Sequence, residues 1–261
     1  MPILNLDDMD LYYEIVGDGE ALLFIHGLGS SSRDWEQQVG FFAERYKVIV
    51  FDARGHGKSG KPAGPYSMPL LAMDTQRLLQ AIEVSPAHIV GISMGGMIAF
   101  QLAVDNPELV KSLVIVNSSP EYIVQTLKQR IQVWQRFIIV KLLGMRKMGK
   151  VLSQRLFPKA EQEALRKVFV ERWAENDPLA YREAMKAIIG WSVADRIEAI
   201  GCPTLVIGSE QDYTSVADKK AYVERMPKAK LLVIEDSRHA LPLEKPDVFN
   251  AALEEFLIEL D

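Results

Sequence analysis

Short apolar runs alternate with longer amphipathic stretches along most of the chain. The runs ALLFIH (21–26), KVIVFD (47–52), AHIVGI (87–92), SLVIVN (112–117), TLVIGS (204–209) and KLLVIE (230–235) are rich in Val, Ile and Leu. Each is about one strand long and apolar on both faces, as strands buried in a parallel sheet are. Between and after them lie RDWEQQVGFFAERY, PLLAMDTQRLLQAIE, GMIAFQLAVDNPE, SVADKKAYVERM and PDVFNAALEEFLIEL, whose apolar positions recur at helical spacing. Strand, helix, strand predicts βαβ units. The first sixteen residues read instead as two short strands turning at DDMD, an antiparallel edge. The fold class expected is α/β, with a mostly parallel eight-stranded sheet and an antiparallel N-terminal edge.

One gap interrupts the alternation. Between SLVIVN and TLVIGS the patterning is helical, with no convincing strand. A structureless loop of that length is improbable in a compact domain. The pattern therefore predicts a core domain from residues 1–119 and 196–261, with a helical cap inserted at 120–195. Ligand sites of open α/β sheets lie at the carboxyl ends of the strands. An insertion leaving a strand at that end starts on the side where it covers such a site.

Composition narrows the picture in three ways. A net charge of −5 gives no general attraction to nucleic acid. The single cysteine, Cys202, excludes an internal disulfide framework and any cysteine-cluster metal site. The start, MPILNLDDMD, carries acids where a signal peptide has basic residues, and no run reaches the ~20 apolar residues of a membrane span. A soluble, cytoplasmic chain is expected. Oligomeric state is not legible.

Candidate chemistry centres on HIVGISMGGMIAF (88–100). Gly91-Ile92-Ser93-Met94-Gly95 matches G-x-S-x-G between a predicted strand and a predicted helix. A turn that tight brings side chains flanking the serine into collision, which glycine removes. It lifts the hydroxyl above the sheet at a helix start, where N–H groups favour developing negative charge. A serine hydroxyl needs a base, and the base an orienting acid, in the chain order Ser, acid, His on such a fold. Of the four histidines, His26, His56, His88 and His239, only His239 follows Ser93. The loop after TLVIGS offers Glu210 and Asp212. Asp212 is favoured because the chain needs a few residues to clear the strand, while Asp236 is too close to His239 in the chain. An oxyanion needs two N–H donors; Met94 follows the nucleophile, and Leu28 lies in the His26-Gly27-Leu28-Gly29 loop. His26, Asp52, Arg54 and His56 read as loop-locking residues.

Together FIHGLGSSSRDW, FDARGHGKSG, VGISMGGMIAF, TLVIGSEQD and RHALPLEKPDVF resemble, in order and spacing, an α/β-hydrolase-fold serine hydrolase over essentially the whole chain. RGHGKSGKPAGPYSM and SMGGMIAFQLA are similar to the carboxylesterase and 3-oxoadipate enol-lactonase branch. The resemblance implies ester hydrolysis through an acyl-enzyme by Ser93, His239 and Asp212, with no cofactor and no metal. A serine nucleophile argues against the dehalogenases and epoxide hydrolases of this fold. Enol-lactone, thioester or C–C bond hydrolysis by the same residues stays open, as does a ligand receptor with negligible turnover. The partner expected is a small ester or lactone.

The cap is the least legible part. VWQRFIIVKLLGM (133–145) is densely apolar, and Trp134, Phe137 and Ile138 are candidates to line a substrate pocket, with Trp173, Met185 and Trp191 as further ones. The same segment is basic. Lys128, Arg130, Arg136, Lys141, Arg146, Lys147, Lys150, Arg155 and Lys159 face almost no acids. Such a run is a solvated face, an attraction for an anionic substrate, or a weak peripheral contact with an anionic membrane.

Overall fold

The structure is a computed structural model that describes residues 2–260, so the outermost residue at each end of the expected core lies outside it. Eight strands form one sheet: β1 (Ile3–Asn5), β2 (Asp10–Val16), β3 (Glu20–Ile25), β4 (Tyr46–Phe51), β5 (Ala87–Ile92), β6 (Val110–Val116), β7 (Thr204–Ser209) and β8 (Ala229–Ile234). Their spatial order is β1-β2-β4-β3-β5-β6-β7-β8. β1 pairs antiparallel with β2, and β2 antiparallel with β4; the other neighbours are parallel. The sequence edge DDMD is the turn that makes the first of these pairs.

Helices α1 (Glu36–Phe42), α2 (Met68–Ala81), α3 (Met94–Asp105), α4 (Leu127–Leu156), α5 (Glu163–Ala174), α6 (Pro178–Ile188), α7 (Val216–Val223), α8 (Leu241–Glu244) and α9 (Pro246–Ile258) complete the chain. One core cluster joins α2 and α3 to one face of the sheet, through residues such as Leu23, Ile89, Ile98 and Leu113. A second joins the opposite face to α1 and α9, through Phe24, Trp35, Val114, Phe249 and Phe256. Strands covered on both faces explain why their runs carry no polar alternation.

Between β6 and β7 the chain leaves the sheet and builds α4, α5 and α6. A third cluster, with Met148, Leu152, Phe157, Phe169 and Trp173, packs these helices together and reaches Ala240 beyond β8. Gly144, at φ 75° and ψ 176°, breaks α4 into two helical pieces. That conformation is open to glycine almost alone. After the break Met145, Met148, Leu152 and Leu156 are buried at helical spacing; before it only Val140 is.

Candidate active site

Ser93 is the single residue between β5 and α3, held at φ 55° and ψ −118°. The glycines around it answer to specific neighbours. A Cβ on Gly91 would lie on the Gly95 carbonyl, and one on Gly95 would lie on the carbonyls of Ile25 and His26 at the end of β3. The second clash is with the neighbouring strand rather than within the turn, so the motif also records how closely α3 sits on the sheet. The Ser93 N–H donates to Val116 O at 3.0 Å, and the Ser118 hydroxyl donates to Ser93 O at 2.7 Å. Both bonds tie the turn to the end of β6.

His239 and Asp212 come from the loops after β8 and β7. His239 Nδ1 donates to Asp212 Oδ1 at 2.5 Å, and the carboxylate side chain is fully buried. Asp212 Oδ2 accepts from Lys219 Nζ at 2.6 Å and from the Thr214 hydroxyl at 2.7 Å. Burial by itself would raise this carboxyl; the His239 ring and the Lys219 ammonium outweigh it and hold the group well below the usual carboxylate range. Asp212 is therefore an anion whose two oxygens are both engaged. Glu210 turns elsewhere and accepts from the Asp236 N–H at 2.9 Å.

Ser93 and His239 line one cavity of about 900 Å³, together with Leu28, Tyr213, Trp173 and Met185. Among the described residues no hydrogen bond joins the Ser93 hydroxyl to the His239 ring. Tyr213 packs its ring 4.4 Å from the imidazole, centroid to centroid. The loop carrying Leu28 touches the serine, since a Cβ on Gly27 would sit 3.5 Å from Ser93 Cβ. Met94 opens α3, so its N–H has no intrahelical acceptor. His26 shapes the Leu28 loop: its Nδ1 donates to Gly27 O at 2.8 Å and its Nε2 accepts from the Ala53 N–H at 2.9 Å. His56 stacks edge-on against it. Burial keeps both rings neutral, lowering His26 and taking His56 down to about 3. Asp52 accepts from the N–H groups of Ser32 and Lys58, both at 2.7 Å, and Arg54 pairs with Asp74 and Asp8.

The pocket expectation on α4 is corrected by the structure. Trp134 is 67% exposed, and neither it, Phe137 nor Ile138 belongs to the cavity wall. The wall is formed instead by Gln129, Gln132, Val133, Gln135, Arg136 and Ile139. The cause is geometric. A helix 3.6 residues per turn presents only one face to the cavity, and Trp134 and Ile138, four apart, share a different one. Trp173 and Met185 do line the cavity, whereas Trp191 is buried and donates its indole N–H to Gln101 at 2.7 Å.

Two residues beside the site were not anticipated. Lys219, on α7, is fully buried against Asp212. Its signal in SVADKKAYVERM was faint, one lysine among polar helical positions. Asn117, at φ 45° after β6, donates to the carbonyls of Arg238 and His239 at 3.2 and 3.0 Å and accepts from the Ser209 N–H at 2.7 Å. It fastens the His239 loop to two strand ends.

Comparison with known proteins places this geometry in context. Residues 20–246 match the family model described as alpha/beta hydrolase fold. The chain is 32% identical over 259 residues to 3-oxoadipate enol-lactonase 2 of Acinetobacter baylyi, spanning 96% of this chain and 94% of that protein. It is 30% identical to the (E)-2-((N-methylformamido)methylene)succinate hydrolase of the same organism, over 94% of this chain and 93% of the relative. The crystal structure of the enol-lactonase from Burkholderia xenovorans superposes with a TM-score of 0.91 at 22% identity, covering 98% of this chain and all of that one, a likeness of fold.

Proposed function

The chain belongs to the α/β-hydrolase family and is a hydrolase, and from that premise we propose that it cleaves carboxylic esters through an acyl-enzyme on Ser93. The observation carrying this reading is the buried Asp212–His239 bond opening onto the same cavity as a serine at a strand-to-helix turn. With Nδ1 committed to Asp212, Nε2 of the neutral ring is the free base. It takes the Ser93 proton as the hydroxyl attacks the ester carbonyl. Asp212, kept ionised, stabilises the imidazolium that forms. The hydrogen bond between serine and imidazole forms when substrate fills the cavity, as catalytic hydrogen bonds tighten on going from the free enzyme to the complex. The N–H groups of Leu28 and Met94 receive the oxyanion. The imidazolium then protonates the departing alcohol, and water releases the acyl group by the same steps.

We read residues 120–195 as a cap that closes the cavity from above, with the core on either side of it in sequence. A lactone is a cyclic ester, so the enol-lactonase relative favours that substrate form alongside open-chain esters. Small esters and lactones are the expected partners.

The test is Ser93→Ala. Turnover of a short p-nitrophenyl ester is expected to fall by roughly 10⁴–10⁶ with little change in melting temperature. A fluorophosphonate probe is expected to label Ser93 in the native protein and nothing in the variant. Labelling of any other serine overturns the assignment.

A further inference from the structure

Helix α4 is amphipathic the wrong way round. Its first piece turns a mostly polar face toward the cavity, Gln129, Gln132, Gln135 and Arg136 beside Val133 and Ile139. Toward solvent it turns Leu127, Ile131, Trp134 and Leu142, with half-buried Ile138 on the same line, the i, i+4, i+7, i+11, i+15 stripe that normally faces a core. Leu127, Trp134 and Leu142 are 73%, 67% and 71% exposed. The stripe runs for about 22 Å along one helix face. Single exposed apolar residues need no explanation, but a continuous row of this kind marks a contact surface.

The charges around the stripe say what kind of surface it meets. From residue 122 to 160 there are nine Lys and Arg and no Asp or Glu, on a chain whose net charge is −5. Some of these cations are occupied: Arg146 pairs with Glu171, Lys159 with Asp236, and Arg136 donates to the Tyr181 hydroxyl. Lys128, Arg130, Lys141, Lys147 and Lys150 are exposed and make no ion pair among the described residues. On the helical wheel Arg130 and Lys141 flank the stripe on one side and Lys128 on the other. Two copies meeting stripe to stripe would bring like charges together.

We propose that the solvent face of α4 docks on an anionic lipid surface. Cations on both flanks reach the headgroups while their stems and the row between them enter the acyl boundary, with Trp134 at the interface. No described helix is long and apolar enough to cross a membrane, so the contact is peripheral. Because the opposite face of α4 lines the cavity, docking sets the cavity about one helix diameter from the lipid. The proposal concerns binding and stands independently of the reaction assigned to Ser93.

The protein carries its own reporter. Of its four tryptophans, Trp35, Trp173 and Trp191 are buried, leaving Trp134 as the exposed one. Intrinsic fluorescence and vesicle sedimentation are measured with phosphatidylcholine vesicles and with vesicles in which about a third of the lipid is phosphatidylglycerol. The expected result is a blue shift and binding at least ~10-fold stronger on the anionic vesicles, weakened by salt. L127Q/L142Q and K128Q/K141Q are each expected to weaken binding ~10-fold or more while turnover of a water-soluble ester and melting temperature stay unchanged, which shows that the variants are folded. Equal binding to both vesicle types, or binding unmoved by either variant, overturns the proposal. A blue shift that appears on concentrating the protein without lipid assigns the stripe to a second copy instead. The same shift with soluble polyglutamate and none with vesicles assigns it to an acidic polypeptide, and either result also overturns it.

Discussion

The cavity has two walls built on opposite rules. On the strand-end side every position is determined by close neighbours. Ten of the twelve residues of α3 are buried, Gly95 stands against the Ile25 and His26 carbonyls and Gly96 against the Ser118 side chain, and both oxygens of Asp212 are taken. On the α4 side seven of thirty residues are buried, and Gly144 has open space where a Cβ would go. A rigid wall suits chemistry, because reacting groups must be held to a fraction of an ångström. A thinly packed wall leaves its outer surface free to carry a second set of requirements. The lesson is that the walls differ in how many neighbours each residue must satisfy, rather than in polarity.

The sharpest way to break the comparison is at the acid. Asp212→Asn is expected to lower turnover by about 10⁴, because the amide presents His239 with the wrong partner atom or the wrong tautomer. Glu210→Gln, one bond network away, is expected to lose less than about tenfold. Steady-state kinetics on the two variants separates them; a reversed order would make Glu210 the acid.

A pair of glycines comes next. Gly95→Ala forces backbone apart at β3 and is expected to cost about 3 kcal/mol or more in chemical denaturation. Gly144→Ala meets no neighbour and is expected to cost about 1–2 kcal/mol, from backbone strain alone. Equal losses would mean that the α4 wall is as tightly held as the other.

The strand-end wall rests on buried titratable groups that tie stability to pH. His26 and His56 stay neutral in the fold, while in the unfolded chain they titrate near 6.5. Below that pH the unfolded state binds more protons, so stability falls with pH by about 1.4 kcal/mol per unit for each buried ring. The loss continues for His56 until pH nears about 3. Asp212, depressed in the fold, adds stability that is present above the ordinary carboxylate range and lost as pH falls below it. Denaturation midpoints of wild type and His56→Asn between pH 7 and 4 test this; parallel slopes would show that His56 is not a buried neutral ring.

The smallest effect is expected at Trp134→Ala. An exposed side chain away from the cavity changes stability by no more than ~0.5 kcal/mol and leaves the preferred acyl length unaltered. A shifted chain-length profile would return Trp134 to the substrate wall and narrow the difference between the two sides.

What the sequence determined by itself was everything set by local physics. β-branched runs apolar on both faces gave the strand ends, Gly91 and Gly95 located the tight turn at Ser93, and the chain order singled out His239, which lines the same cavity as that serine. The helices between β6 and β7 were legible because helical spacing replaced strand spacing over a long gap. The tertiary structure decided what local physics leaves free. Periodicity tells that α4 has an apolar face but carries no information about direction, and the face turned to solvent, taking Trp134, Phe137 and Ile138 off the cavity wall. The same holds for Lys219 and Asn117, each separated in sequence from the group it supports. A lysine on an amphipathic helix and an asparagine after a strand are ordinary residues until the chain folds. Only packing α7 beneath the Asp212 loop and β6 beside β7 gives the ammonium a carboxylate, and the amide two carbonyls, within hydrogen-bond reach.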